Sequence, residues 1–285
     1  MRSAVKGLLA SLVLLASLSG AWAQDTPKRA ITQIAGDLYR FQNNFHYSVF
    51  LVTPEGIVAT DPINADAAAW LKAELATRFK VPVKYLIYSH DHADHIAGGE
   101  VFADTATVIA HANAATHIAG EARPTAPPDI TFTERMTLAL GGKQVELIYL
   151  GKNHSDNSIV MHFPAEIAVF AVDFVAVNRL PYRNLPNSYV EDWIESLKKL
   201  EAMDFDILAP GHGAVGTRAD VAPQRRYLEE LRAEVLARIR QGMPLEQIQA
   251  EVKMPAYADW GSYADWIALN VEGMHRHLLN HRRGN

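Results

Sequence analysis

The chain has 285 residues, a formal net charge of −5, no cysteine and 49% hydrophobic residues. This length and composition fit one large or two small globular domains and exclude disordered and collagen-like classes. Without cysteine, disulfides, thiolate metal sites and cysteine nucleophiles are excluded. The mild acidity, with no run of Lys or Arg, argues against nucleic acid as a partner.

Residues 1–23 have the three parts of a secretory signal peptide. Arg2 and Lys6 flank the start, residues 7–18 are apolar, and residues 21–23 form an Ala-x-Ala type of ending. The apolar stretch is shorter than the roughly 18 residues that a membrane helix needs, so we predict cleavage near Ala23. The mature protein is then expected to be periplasmic or secreted, without membrane attachment. An uncleaved membrane anchor is the alternative.

Strands and helices alternate through the first two thirds of the mature chain. Short apolar runs predict buried strands, and apolar residues at helical spacing predict helices. The predicted strands are 47–52, 56–60, 83–88, 107–110, 144–150, 158–163, 167–172 and 206–209, and the predicted helices are 65–80, 111–119 and 190–203. This alternation predicts an α/β layered domain.

The pattern becomes purely helical near residue 219. Residues 219–241 form an amphipathic stretch, and residues 245–252 and 262–281 predict two more helices. We therefore divide the chain into a signal peptide at 1–23, a catalytic domain at 24–218 and a helical extension at 219–285. We expect the extension to pack on the core; a surface for a protein partner is the alternative.

The predicted strand 83–88 leads directly into a loop rich in metal-binding residue types. His90, His92, Asp94 and His95 fall within six residues. Side chains two apart in an extended segment share a face, so His90 and His92 can reach one metal. The turn through Asp94 and His95 can present a second pair. Metal binding satisfies such a concentration of imidazoles and carboxylate, and the loop therefore predicts a metal site.

Three further candidate ligands each follow an apolar run. They are His154, Asp173 and His212, the last within the sequence Pro-Gly-His-Gly. Sites in sheet enzymes are assembled at strand ends, so we expect these three side chains to join the loop cluster.

This ordered series resembles the metal ligands of the metallo-β-lactamase superfamily, over about residues 31–216. The resemblance implies an αββα four-layer sandwich, with the helical extension added, and two Zn²⁺ ions at one edge. Iron and manganese remain alternatives on ligand type. Asp61 resembles the structural aspartate of the family. By the resemblance, the first metal is held by His90, His92 and His154, the second by Asp94, His95 and His212, and Asp173 bridges them.

The reaction class that follows is metal-assisted hydrolysis of a small-molecule substrate. Two metals can convert a bridging water into hydroxide, which attacks an ester, lactone, thioester or amide carbonyl. Asp94 is the predicted catalytic residue, because it can orient that hydroxide and pass a proton to the leaving group. His46, Asn157 and Tyr182 are candidate substrate-binding residues.

Two other functions stay open at this stage. Many true metallo-β-lactamases resemble this chain but carry cysteine or serine at position 173, so Asp173 argues against β-lactam hydrolysis. Asp156, Asn157 and the predicted export favour it. The second alternative is a non-catalytic, metal-binding periplasmic accessory protein that uses its helical extension to engage a partner. His92 argues against the redox-active diiron members, which have glutamate there.

Overall fold

The structure is a computed structural model and describes residues 26–280. The predicted signal peptide at 1–23 lies outside the described residues. Within residues 26–280, no helix combines the length and apolar character that crossing a membrane requires.

The first sheet has seven strands, which follow one another in chain order across the sheet. Its first four strands are antiparallel, whereas its last four are mutually parallel, so β4 belongs to both halves. Their bounds are β1 (Arg29–Ala35), β2 (Leu38–Asn43), β3 (His46–Thr53), β4 (Gly56–Thr60), β5 (Val83–Ile87), β6 (Thr107–His111) and β7 (Ile130–Phe132).

The second sheet has six strands in the order β13-β12-β11-β10-β9-β8. Only the β11–β12 pair is parallel among its described pairings. The two sheets face each other across a buried apolar layer to which both contribute alternate side chains, such as Leu51, Val58, Met161 and Phe170. The bounds are β8 (Arg135–Leu140), β9 (Lys143–Ile148), β10 (Val160–Phe163), β11 (Ala168–Ala171), β12 (Ile207–Pro210) and β13 (Gly216–Thr217).

Helices cover the outer faces of both sheets. Leu71 of α1 and Ile118 of α3 pack with buried residues of the first sheet. Trp193 of α4, Leu228 of α5 and Val271 of α7 pack on the second. The predicted αββα sandwich with C-terminal helices is thereby confirmed. The helix bounds are α1 (Ala65–Phe79), α2 (Ala93–Ile96), α3 (Ala112–Gly120), α4 (Val190–Glu201), α5 (Val221–Arg240), α6 (Leu245–Glu251) and α7 (Tyr263–Asn280).

Five strands, β1, β2, β7, β8 and β13, have no counterpart among the sequence predictions. Polar residues interrupt the apolar pattern of the longer ones: β2, for example, carries Arg40 between Tyr39 and Phe41 and ends in Gln42 and Asn43. The predicted helix at 219–241 begins at Val221, because residues 218–220 form a separate 3₁₀ turn. Thr217 and Asp220 close this turn with a capping box.

The C-terminal helices hold the loop 174–189, which follows Asp173. Asn270 of α7 is fully buried, and its amide donates to the carbonyl of Pro181 at 3.0 Å and to that of Arg183. The hydroxyl of Tyr227 on α5 donates to the Asn270 side-chain oxygen at 2.6 Å. The helices therefore contact both the sheet and this loop, while the proposed boundary at residue 218 stays a prediction.

Candidate metal centre

The topology brings four ligand-bearing segments to one edge of the sandwich. β9 and β11 are each antiparallel to β10, and β11 is parallel to β12, so β9, β11 and β12 run in the same direction. Their carboxyl ends, followed by His154, Asp173 and His212, therefore meet at one edge of the second sheet. The loop after β5 supplies the ligands of the first sheet, and Asp61 follows the parallel neighbour β4.

One group of ligand atoms comprises His90, His92, His154 and Asp173, all within 4.8 Å of one another. His154 Nε2 lies 3.0 Å from His92 Nδ1. Asp173 Oδ2 lies 3.4 Å from His90 Nε2 and 3.5 Å from His154 Nε2. Ligands bound to one zinc ion at about 2.0–2.2 Å would be separated by similar distances. These four side chains can therefore hold one cation.

A second group comprises His95, Asp173 and His212, also within 4.8 Å. The Nε2 atoms of His95 and His212 are 3.2 Å apart, and Asp173 Oδ1 lies 3.2 Å from His212 Nε2. Asp94 Oδ2 is more distant, at 3.7 Å from His95 Nε2 and 3.9 Å from His212 Nε2. Asp173 belongs to both groups. The structure thus brings all the predicted ligands together, and their division between two metals stays a prediction.

Hydrogen bonds outside the two groups set the orientation of the imidazoles. The hydroxyl of Ser89 donates to Asp61 Oδ2 at 2.6 Å, and Ser89 Oγ lies 2.9 Å from His90 Nδ1. Nδ1–H of His90 is then the donor to Ser89, which leaves the Nε2 lone pair for a metal. His212 Nδ1 lies 2.9 Å from the carbonyl oxygen of Phe45, which can only accept. Nε2 of His212 is likewise left free.

Burial and charge fix the protonation of these side chains. Burial lowers the pKa of His92 to about 3 and that of His154 to about 4, so both rings are neutral at pH 7. Burial also disfavours the charged form of His95, but the Asp173 carboxylate and hydrogen bonds with Asp173 and Asp61 outweigh it and raise its pKa. His95 must lose this proton to bind a metal, because only the neutral imidazole is a ligand.

The donor set fits a metal ion. His90 is fully buried, and its Nε2 atom has no hydrogen-bond partner within the described part of the chain. Such an orphaned polar atom is costly unless a ligand satisfies it. Imidazole and carboxylate donors without thiolate suit zinc, and also iron or manganese. The residues present therefore form a site that can bind metal.

The backbone around the site has two special features: positive φ angles at two aspartates and a close approach at one glycine. Asp173 has a φ of 64° and Asp61 a φ of 29°, in the left-handed region that aspartate tolerates better than most residues. Gly211 passes close to the site, because a Cβ built there would lie 2.6 Å from Val172 Cγ1 and 3.0 Å from His95 Cε1. Glycine is required at this close approach.

The candidate substrate-binding residues lie in different surroundings. His46 joins the site, with its Nε2 3.2 Å from Asp94 Oδ2. Asn157 is 1% exposed, and its amide makes hydrogen bonds with both the backbone N–H and the carboxylate of Asp91. Tyr182 is 49% exposed and packs edge-on against Trp266 of α7 at 5.3 Å. Contact of these three residues with a substrate stays a prediction.

Arg40 is a residue near the site that the sequence did not single out. Its guanidinium is buried and donates to the carbonyls of Pro210 and Gly213, each at 2.8 Å, on both sides of His212. It also lies 3.6 Å over the ring of Tyr47. Burial lowers the pKa of Arg40 to about 10, so it remains charged at pH 7. Arg40 is the one charged residue in β2. A single cation in an otherwise uncharged strand is the sequence feature that could have pointed to its role.

Two facing mixed sheets, with histidines and aspartates gathered at one edge, define a metal-dependent hydrolase of the metallo-β-lactamase type. The family model of the metallo-beta-lactamase superfamily matches residues 50–212, and the chain belongs to this superfamily.

Two characterised relatives and one solved structure are similar to this chain. The 2,4-dinitroanisole O-demethylase subunit alpha of Nocardioides sp. (strain JS1661) is 26% identical over 271 residues, covering 90% of this chain and 81% of that protein. The metallo-beta-lactamase type 2 of Bacillus cereus is 27% identical over 172 residues, covering 59% and 67%. A metallo-beta-lactamase from Pontibacter korlensis has the same fold, with a TM-score of 0.65 and 22% identity over 71% of this chain and 99% of its own.

Proposed function

We propose that this chain is a dinuclear zinc hydrolase that cleaves an ester, lactone, thioester or amide of a small molecule. The observation that carries the proposal is the position of Asp173. Its two carboxylate oxygens lie 3.2–3.5 Å from ring nitrogens of both histidine groups. A carboxylate shared in this way is suited to bridge two cations, as in two-metal hydrolytic sites.

The chain's own residues have separate roles in this mechanism. When bound, two zinc ions would supply a water of lowered pKa and Lewis-acid polarisation of the scissile group. The histidines of the two groups would hold the cations, and the fully buried His90 and His95 would help to exclude bulk water. Asp94 is 52% exposed, so its carboxylate lies where a substrate can enter. Asp94 takes the proton of the attacking water and passes it to the leaving group.

A second candidate reaction is the hydrolysis of an electron-poor aryl methyl ether. The similarity to the 2,4-dinitroanisole O-demethylase subunit covers 90% of this chain and so extends into the C-terminal helices. Water attack at a nitro-activated ring carbon resembles attack at a carbonyl carbon, because both carbons are electrophilic and both form an anionic adduct. Hydrolysis of 2,4-dinitroanisole would release 2,4-dinitrophenol and methanol.

The test compares one protein preparation on five substrate classes. Residues 24–285, loaded with zinc, are assayed with a p-nitrophenyl ester and thioester, a lactone, a chromogenic cephalosporin and 2,4-dinitroanisole. Metal content is measured by mass spectrometry. The matched variants are Asp94→Asn in the site and His162→Gln, whose ring pairs with Glu146 on the second sheet.

We expect two zinc ions per chain and turnover of at least one carbonyl substrate. With both zinc ions retained, Asp94→Asn should lose about 10²- to 10⁴-fold in kcat, the range for a general acid–base residue, whereas His162→Gln should retain activity. Turnover of the cephalosporin or dinitroanisole alone would replace the proposed substrate class. A protein that binds two zinc ions but acts on none of these substrates would contradict the proposed activity.

We further propose that the protein is exported, on the basis of the signal-peptide pattern at 1–23. Expression of the full chain with a C-terminal tag, followed by fractionation and mass determination, tests this. A periplasmic or secreted product that begins near Gln24 is expected. A cytoplasmic product that retains residues 1–23 would contradict it.

A further inference from the structure

The tip of the β2–β3 hairpin, residues 43–46, contacts His212 of the second ligand group and the neighbouring Asp94. The carbonyl of Phe45 accepts from His212 Nδ1 at 2.9 Å, and His46 Nε2 lies 3.2 Å from Asp94 Oδ2. The hairpin is fixed beside the site, since the backbone N–H of Tyr47 donates to the carbonyl of Gly211 at 2.8 Å. These contacts connect the first sheet to the loop that carries His212.

Asp94 is the ligand that most needs an external constraint. It is the most exposed of the predicted ligands, and its Oδ2 atom lies 3.7 Å and 3.9 Å from the Nε2 atoms of His95 and His212. Asp173, by contrast, lies within 3.2–3.3 Å of both histidines. An exposed carboxylate has rotamer freedom that must be lost on metal binding, and a positioning hydrogen bond reduces this cost.

His46 is placed to supply that constraint. An ionised carboxylate can only accept hydrogen bonds, so the contact requires a proton on His46 Nε2. The ring of His46 also packs edge-on against the rings of His212, at 4.7 Å between centroids, and His95, at 5.7 Å. These contacts limit the rotation of the His46 ring and direct its N–H towards Asp94.

We propose that His46 is a positioning residue for the second metal: it orients the Asp94 carboxylate towards His95 and His212, so that the second cation is retained. The inference rests on the proposed two-metal function. It gives His46 a role through Asp94 rather than through contact with the substrate. The carbonyl of Phe45 has the parallel role for His212, so the hairpin tip supports two ligands of one cation.

The test measures metal binding rather than turnover. The apo forms of the wild type, His46→Leu, His46→Gln and His162→Leu are titrated with Zn²⁺ by calorimetry and with Co²⁺ by visible absorption. Leucine removes the donor, whereas glutamine keeps an N–H at similar reach. His162→Leu is the matched control, because it removes a histidine that pairs with a carboxylate, that of Glu146 at 3.0 Å, away from the site. Circular dichroism checks that each variant is folded.

The wild type should bind two equivalents. His46→Leu should bind the first normally and the second about 10- to 100-fold more weakly, as for loss of a residue that orients a ligand. His46→Gln should recover most of this loss, and His162→Leu should match the wild type. Unchanged second-site affinity in His46→Leu would overturn the inference, as would a glutamine variant no better than leucine. A wild type that binds one equivalent would instead contradict the two-metal function itself.

Discussion

The replacement of Asn270 by alanine tests how strongly the C-terminal helices support the site loop. Asn270 is fully buried in α7 and joins three partners: the carbonyls of Pro181 and Arg183 and the hydroxyl of Tyr227. The two carbonyls belong to the loop 174–189. Alanine would leave each of these partners without its hydrogen bond, in surroundings that water does not readily reach.

The expected cost follows from the number of buried groups left unpaired. Each unsatisfied buried donor or acceptor costs about 1–3 kcal/mol, so the three partners of Asn270 together predict a loss of about 3–9 kcal/mol in the free energy of unfolding. That loss is a large part of the about 5–15 kcal/mol available to a typical domain. The loop should also become more mobile, because two of its carbonyls lose their donor.

Urea denaturation followed by circular dichroism measures this loss, in zinc and after chelation. Gln249→Ala is the matched control, because its side-chain amide also donates to a backbone carbonyl, that of Ala268 at 2.9 Å, but at an exposed position. We expect the control to cost less than about 1 kcal/mol. A loss below about 1 kcal/mol for Asn270→Ala would refute the view that this side chain anchors the loop.

Three further outcomes are expected. Gly211→Ala should weaken metal binding about 10-fold or more, since its Cβ would press on His95. Gly120→Ala is the control, because the space around Gly120 is open, and it should bind metal normally in the same calorimetric titration. Chelation should lower the thermal midpoint of unfolding, because a bound cation at 1,000 times its Kd adds about 4 kcal/mol to the free energy of unfolding. An unchanged midpoint would contradict a metal site in the folded state. Asn157→Ala should cost about 2–6 kcal/mol in urea denaturation, because it removes two buried hydrogen bonds to Asp91. A raised KM at full stability would instead favour the predicted substrate contact.

The local part of the site could be predicted from the sequence. The run at 83–88 forms β5 (Val83–Ile87) and delivers His90, His92 and His95 to the strand end, because a short apolar run between polar segments has few alternatives to a buried strand. His154, Asp173 and His212 follow strands in the same way. The order of these residues along the chain resembles the ligand series of the superfamily, and this resemblance implied the fold.

Contacts between distant segments could not be predicted in this way. His212 and Phe45 are separated by 167 residues, and their hydrogen bond uses a backbone carbonyl that leaves no trace in residue type. The two bonds from Arg40 to the 210–213 segment likewise require the sandwich to be folded. Asn157 illustrates the same limit, since its spacing to His154 suggests a site residue, whereas its burial against Asp91 depends on a loop of the first sheet.

The two ligand groups differ in how deeply the fold encloses them, and this difference predicts an order of metal loss. In the first group, His90 is fully buried and the His154 side chain is 6% exposed. In the second, the side chain of His212 is 24% exposed, and that of the neighbouring predicted ligand Asp94 is 52% exposed. A ligand near solvent can detach without opening the core, whereas release of the first cation requires local unfolding around β5 and β9. Stopped-flow chelation should therefore show two phases of metal loss, a faster one from the second group and a slower one from the first. The faster phase should be accelerated in His46→Leu. A single phase that this substitution does not affect would contradict this order of metal loss.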